Sequence, residues 1–354
     1  MTNNPTPSHQ RDTDSSHRPI VPTDVAQRGG WSGLIKHVGQ SATLRAAGSL
    51  RCVLSPRVAN AFGILMYHRL TKPPIGVATP TYNVPPSRFR AQLEGLLSLG
   101  YQAWPLRKAL EFSRTGQAIP RNTFVVTFDD GYENNYVHAW PILKDLQIPA
   151  TIFVTTAYLD SKDPFPFDDW SAAGVSGTPA ESWRPLTIMA CREMLDEGLI
   201  DIGTHTHTHA DFRPQPEALR ADLSTSIQVL GEQLDLQDAT FALPYGTRRR
   251  GFSGPVLAGI AKKAGVLCSL TTENELVIPG SDPFDWGRFT VTAADTPRTI
   301  AARLDGWYEL FRTAWRKMRA PFRASANPHE SVSGKGRQPT ALEHEPVNET
   351  PLSV

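Results

Sequence analysis

At 354 residues, with 40% hydrophobic and 20% charged residues, the chain is long enough for one large barrel or two ordinary domains with an ample core. A formal charge of +1 gives no global basis for binding nucleic acid. The three cysteines, Cys52, Cys191 and Cys268, are far apart and lack CxxC spacing, which argues against a disulfide framework or zinc knuckle and for small buried hydrophobes.

Residues 1 to about 28 are Pro, Ser, Thr, Asp and Asn with little to bury, so a disordered tail is expected. From Trp31 an apolar helical spacing begins, and no acidic residue occurs between Asp24 and Glu94, whereas Lys36, Arg45, Arg51 and Arg57 do. A basic amphipathic arm of this kind covers its own domain or lies peripherally on an anionic membrane surface. The N-terminus lacks the apolar core of a signal peptide, and no run approaches the ~20 apolar residues of a membrane span. The expectation is a cytoplasmic chain, with contact to the inner membrane through the arm as an option. Residues 1–58 are assigned to tail and arm, 59–322 to one catalytic domain, and 323–354, polar and Pro-containing, to a second disordered tail.

Phe62 to Tyr67 reads as a buried strand ending in His68, followed by Pro-rich loop. Ser87 is placed to cap a helix with Phe89, Leu93, Leu96 and Leu97 on one face and Gly100 as its stop. Tyr101 to Trp104 is a short strand, and Phe124 to Phe128 is a strand buried on both faces that runs into Asp129, Asp130 and Gly131. A helix around Tyr136 to Leu143 must accommodate Pro141 near its start or as a kink. Thr151 to Val154 is strand-like. Residues 160–186 carry Pro, Gly and aromatics, including Trp170 and Trp183, without periodicity, as a binding loop does. The remaining helices are expected at 187–197, 219–234, 255–264 and 297–318, and the remaining strands at 199–203, 240–243, 266–271 and 288–292.

This alternation of strand and helix implies parallel strands joined by crossover helices. Each polar cluster follows a strand: His68, Asp129–Asp130, His205 to His209, Tyr245–Gly246 and Arg288. In a barrel such positions share the C-terminal face. An Asp-Gly turn is the plain reading of DDG alone, because two neighbouring buried carboxylates are costly without a cation or shared proton. Asp130, His205 and His209 nevertheless form a ligand set of one oxygen and two imidazole nitrogens, the composition of a catalytic zinc site. Residues four apart on an extended strand lie roughly 13 Å apart. His205 and His209 can therefore share an ion only if the chain leaves the strand at Thr206 and turns. Thr204, Thr206 and Thr208 can bond such a turn. A His205/His207 pair lacks the further histidines it would need, since only His329 and His344 follow His209.

TFDDG at Thr127–Gly131, HTHTH at His205–His209 and LPYG at Leu243–Gly246 resemble the first three motifs of the polysaccharide deacetylases, carbohydrate esterase family 4 with the NodB homology domain. ILMYHRL at Ile64–Leu70 and FRAQLEGLLSLGY are similar to the exopolysaccharide-modifying branch. The resemblance spans Gly63 to Val291. It implies a deformed (β/α) barrel of about seven parallel strands, TIM-barrel-related, and one divalent metal ion, usually zinc. It also implies removal of N-acetyl groups from an amino-sugar glycan. Asp130, His205 and His209 would hold the metal, Asp129 would be the general base, and the Tyr245 N–H would face the oxyanion. The late Leu-x-His motif is absent, leaving His68 as the group to protonate the leaving amine. Ala242 stands where the third motif usually begins with Arg. Arg288 could reach Asp129 in its place, or pair with Asp282 or Asp285. Arg248 to Arg250 either attract an acidic glycan or form a solvated loop. Trp170 and Trp183 favour stacking on sugar. The alternatives are hydrolysis of a small cyclic imide, amide or O-acetyl ester on the same fold, or a non-catalytic glycan-binding barrel.

Overall fold

The structure, a computed structural model, describes residues 61–307 apart from 73–75, 77–78 and 169–174. The expected N-terminal arm and C-terminal tail, with Cys52 and Trp170, lie outside the described residues. The sheet strands are β1 (Gly63–Tyr67), β2 (Gln102–Ala103), β3 (Thr123–Phe128), β4 (Ala150–Val154), β5 (Ile200–Thr204), β6 (Phe241–Ala242), β7 (Ser269–Leu270) and β8 (Phe289–Thr290). Seven of them run in the order β7-β6-β5-β4-β3-β1-β8, every pairing parallel, with β2 beside β3. An isolated parallel bridge, Leu270 to Trp286, ties the β7 edge to the segment entering β8. This is a curled NodB-like (β/α) barrel.

Side-chain alternation divides β3 between two cores. Phe124, Val126 and Phe128 pack outward with Leu65, Ile152 and Ile202 under the helices. Val125 packs inward with Ile64, Phe153, Ala242 and Leu270. By the same parity Thr127 and Asp129 belong to the inner side, as do Ile64 and His68 of the β1 segment. Register pairs Tyr67 with Phe128 and Val154 with Thr204, so the residues that follow these strands meet at one rim.

The helices are α1 (Pro86–Ser98), α2 (Leu106–Thr115), α3 (Trp140–Leu146), α4 (Ile188–Asp196), α5 (Ala218–Leu234), α6 (Pro255–Ala264) and α7 (Pro297–Leu304). Ser87 is not a cap: Pro85 holds that position and Pro86 opens the helix without any side-chain cap bond, since proline's fixed φ suits the first turn. The helix α2 is absent from the sequence reading, although Leu106, Ala109, Leu110 and Ser113 mark its buried face. Its Leu106, Ala109 and Leu110 join the inner core, and Arg107 pairs with Asp201 at 3.0 Å. Pro141 sits in the first turn of α3, and a wide turn over Asn135–Ala139 precedes it. The helix expected over 297–318 ends at Leu304, with Asp305 as its cap and Gly306 at φ 85°; the part beyond 307 lies outside the described residues.

Candidate active site

The rim is built on tight turns. The Gly131 N–H donates to the Asp129 carbonyl at 2.9 Å, forming a three-residue turn about Asp130, whose φ is 71°. The Gly246 N–H donates to the Pro244 carbonyl at 2.7 Å, turning the chain the same way about Tyr245 at φ 61°. Such turns are rare and strained, and they persist where surrounding structure over-determines them. Gly246 is required by close approach: a Cβ there would lie 2.7 Å from the Thr272 backbone nitrogen.

β5 ends at Thr204, and Thr206 (φ 71°) and His209 (φ 58°) take left-handed backbone, so the chain leaves the strand where the spacing of the two histidines demands. The Thr206 N–H donates to Thr204 Oγ1 at 3.0 Å and the His209 N–H to Thr206 Oγ1 at 2.9 Å. Asp222 of α5, unnoticed in the sequence, accepts the His207 N–H at 2.5 Å and the Thr208 N–H at 3.2 Å. His207 turns away from the site to Thr156 Oγ1, 2.9 Å from its Nδ1.

One oxygen of Asp130 thus lies 3.4 Å from His205 Nε2 and 3.5 Å from His209 Nε2. The three donor atoms fall within 4.8 Å of one another, and all three residues are buried. His205 Nδ1 donates to the Ala242 carbonyl at 2.8 Å; a carbonyl can only accept, so Nε2 carries the lone pair that faces Asp130. Burial lowers the basicity of both imidazoles, keeping them in the neutral form that binds metal. The donor set fits a divalent cation with room for a non-protein ligand.

Asp129 is not one of these three donors. Arg288 grips it with two bonds, 2.5 Å to Oδ1 and 2.7 Å to Oδ2, and both side chains are fully buried. Arg288 also donates to the Thr271 carbonyl at 3.1 Å. Asp285 is engaged instead by Arg248, which pairs with Glu275 as well, so the triple-arginine run is partly ion-paired, with Arg249 exposed. Burial alone would raise the Asp129 carboxyl, but the Arg288 charge and its hydrogen bonds hold it at about 2.

His68 follows β1, half-buried, with Tyr82 stacked on its ring at 4.6 Å and 17°. Asn135 Nδ2 donates to the His68 carbonyl at 2.8 Å, and Asn134 Oδ1 accepts the Leu70 N–H at 2.8 Å. These asparagines of the DDGYENN run fix the His68 backbone, a role its sequence position did not advertise. Burial pushes the His68 imidazole down to about 4, against the pull of Asp129. The segment carrying Trp183 lies against the turn after Asp130: Leu186 N–H donates to the Gly131 carbonyl and Glu133 N–H to the Arg184 carbonyl, both at 2.8 Å.

The polysaccharide deacetylase model matches residues 116–266, the stretch that supplies the DDG, HTHTH and LPYG segments. Over that stretch the chain is similar to the polysaccharide deacetylases. Poly-β-1,6-N-acetyl-D-glucosamine N-deacetylase of Staphylococcus aureus is 26% identical over 237 residues, covering 64% of this chain and 74% of that protein. Among solved structures, IcaB from Ammonifex degensii superposes with a TM-score of 0.57 at 24% identity, over 70% of this chain and 98% of its own. Streptococcus pyogenes deacetylase PplD in complex with acetate gives a TM-score of 0.57 at 20% identity, over 69% and 98%. The chain carries the DDG, HTHTH and LPYG segments within the matched stretch. Its departures from the family pattern are now located: the carbonyl of Ala242 serves His205, and Arg288 on the approach to β8 serves Asp129.

Proposed function

We propose that this enzyme removes N-acetyl groups from amino-sugar residues of an exopolysaccharide, using a divalent cation, most simply zinc, held by Asp130, His205 and His209. The observation that carries the reading is the division of labour between adjacent carboxylates. Asp130 faces the Nε2 atoms of two imidazoles, while Asp129 is gripped by Arg288 and stays outside the ligand set.

A carboxylate held at about 2 is a feeble base toward bulk water. A cation held by Asp130, His205 and His209 would supply what is missing, acidifying the reacting water and polarising the acetyl oxygen. Asp129 then takes the water's proton as its oxygen bonds to the acetyl carbon, and Arg288 keeps the carboxylate oriented. The Tyr245 N–H, carried on its strained turn, faces the oxygen that gains negative charge. As the carbon–nitrogen bond breaks, His68 delivers a proton to the amine, leaving acetate and the free amino sugar. Because His68 is neutral at rest, the proton it delivers is the one Asp129 took from the water, and its passage returns Asp129 to the carboxylate and His68 to the neutral imidazole. Trp183, on the segment packed against the Asp130 turn, and Trp170 are assigned to sugar stacking.

The polymer to test is that of the S. aureus relatives, poly-β-1,6-N-acetyl-D-glucosamine. Acetate release from its short oligomers should exceed release from O-acetyl esters, with no ring opening of cyclic imides. Preferred turnover of an ester or imide would replace this substrate assignment with one of the alternatives.

A further inference from the structure

A histidine that binds metal is normally oriented by a hydrogen bond from its other ring nitrogen. His205 obeys this rule through the Ala242 carbonyl, but His209 does not: its Nδ1 is buried and bonds no other described residue. The His209 ring instead lies flat against Phe167, with centroids 3.8 Å apart and planes 16° from parallel. Tyr245 meets it edge-on from another side at 4.9 Å.

Phe167 is itself held in place. Phe165 stacks on it at 5.0 Å and 26°, and Tyr132, two residues beyond Asp130, meets Phe165 edge-on at 5.0 Å. The Arg69 guanidinium lies 4.2 Å over the Tyr132 ring and pairs with Asp168, the residue after Phe167, both side chains being almost wholly buried. The circuit from Arg69 through Tyr132, Phe165 and Phe167 to Asp168 closes on itself. It fixes the start of the long insertion to the ends of β1 and β3.

We propose that Phe167 is a positioning residue for the metal site, its ring orienting the His209 imidazole by stacking where other ligand histidines use a hydrogen bond. Ligation also withdraws electron density from an imidazole, so its attraction to the Phe167 π face grows when a cation is bound. The insertion thereby couples metal affinity to the ion pair that anchors it.

The proposal rests on the metal assignment above, and the test separates the two. Zinc is titrated calorimetrically into the full chain after chelator stripping, for wild type, Phe167→Leu, Phe167→Tyr and Asp130→Asn, with the Tm of each metal-free protein. Leu retains apolar bulk without a flat face. The expected result is zinc affinity about 10–100-fold weaker in Phe167→Leu, at an unchanged metal-free Tm, with Phe167→Tyr close to wild type. Phe167→Met repeats the test should the Leu variant not fold. Wild-type affinity in Phe167→Leu, or a loss matched by a falling Tm and not rescued by Tyr, overturns the proposal while the metal site stands. Absence of binding to wild type, or full binding to Asp130→Asn, overturns the metal assignment and the proposal with it.

Discussion

Asp129 and Arg288 are separated by 159 positions yet form a bidentate pair that is almost wholly buried. Breaking such a pair from one side leaves an uncompensated buried charge, so Arg288→Met should cost about 3–5 kcal/mol in chemical denaturation. The sign of the pH dependence follows from the lowered carboxyl. With the folded value at about 2 against the ordinary 3.8, the stabilisation is complete above about pH 4 and is lost as pH falls through 2. It amounts to the order of 2 kcal/mol. Arg288→Met should flatten that acid limb, and an unchanged limb would remove Arg288 as its cause. For His68, the expected outcome of His68→Ala is kcat reduced about 10²–10⁴-fold with metal content retained; full turnover would end its assignment as proton donor. At this scale the convergence of Asp130, His205 and His209 at one rim was legible in the sequence, because strand ends in a parallel barrel share a face. The sequence did not decide between Asp129 and Asp282 or Asp285 as the partner of Arg288. Phe167, Asp222 and Asn134–Asn135 were not legible, since their partners lie across the fold and no local spacing marks them.

The elements matter here chiefly through how they end. Strand β5 stops at Thr204, and the turn beyond it is held by Asp222 of α5. Asp222→Ala leaves the His207 and Thr208 N–H groups without their acceptor. Each orphaned donor costs about 1–3 kcal/mol, and zinc affinity should fall about 10–100-fold as His209 loosens from His205. Titration of zinc into that variant checks this, and wild-type affinity would show the turn to be self-supporting. Strands β1, β3, β4 and β5 were legible as apolar runs bounded by turn residues. By contrast β6, β7 and β8 are two-residue strands, shorter than expected, pairing with their neighbours over only one or two residues. The helix α2 was not legible because its amphipathic pattern is only ten residues long.

On the scale of the whole molecule, the parallel barrel explains how residues from His68 to Arg288 converge, while the insertion after β4 brings aromatic rings to the candidate ligand His209. Barrel class was legible from the alternation of elements. The placement of the insertion was not, because a buried Arg69–Asp168 pair and ring stacking fix it, and neither has a periodic signature. No helix among the described residues is long and apolar enough to cross a membrane. The central claim is that one carboxylate binds the cation while its neighbour performs the proton transfer. Its most direct test is acetate release from β-1,6-linked N-acetylglucosamine oligomers by zinc-loaded wild type and Asp129→Asn, with metal content measured on the same samples. The account predicts one zinc per chain in both proteins and release in wild type alone, reduced about 10²–10⁴-fold or more by the substitution. Loss of zinc from Asp129→Asn, or undiminished release by it, would contradict the division of roles.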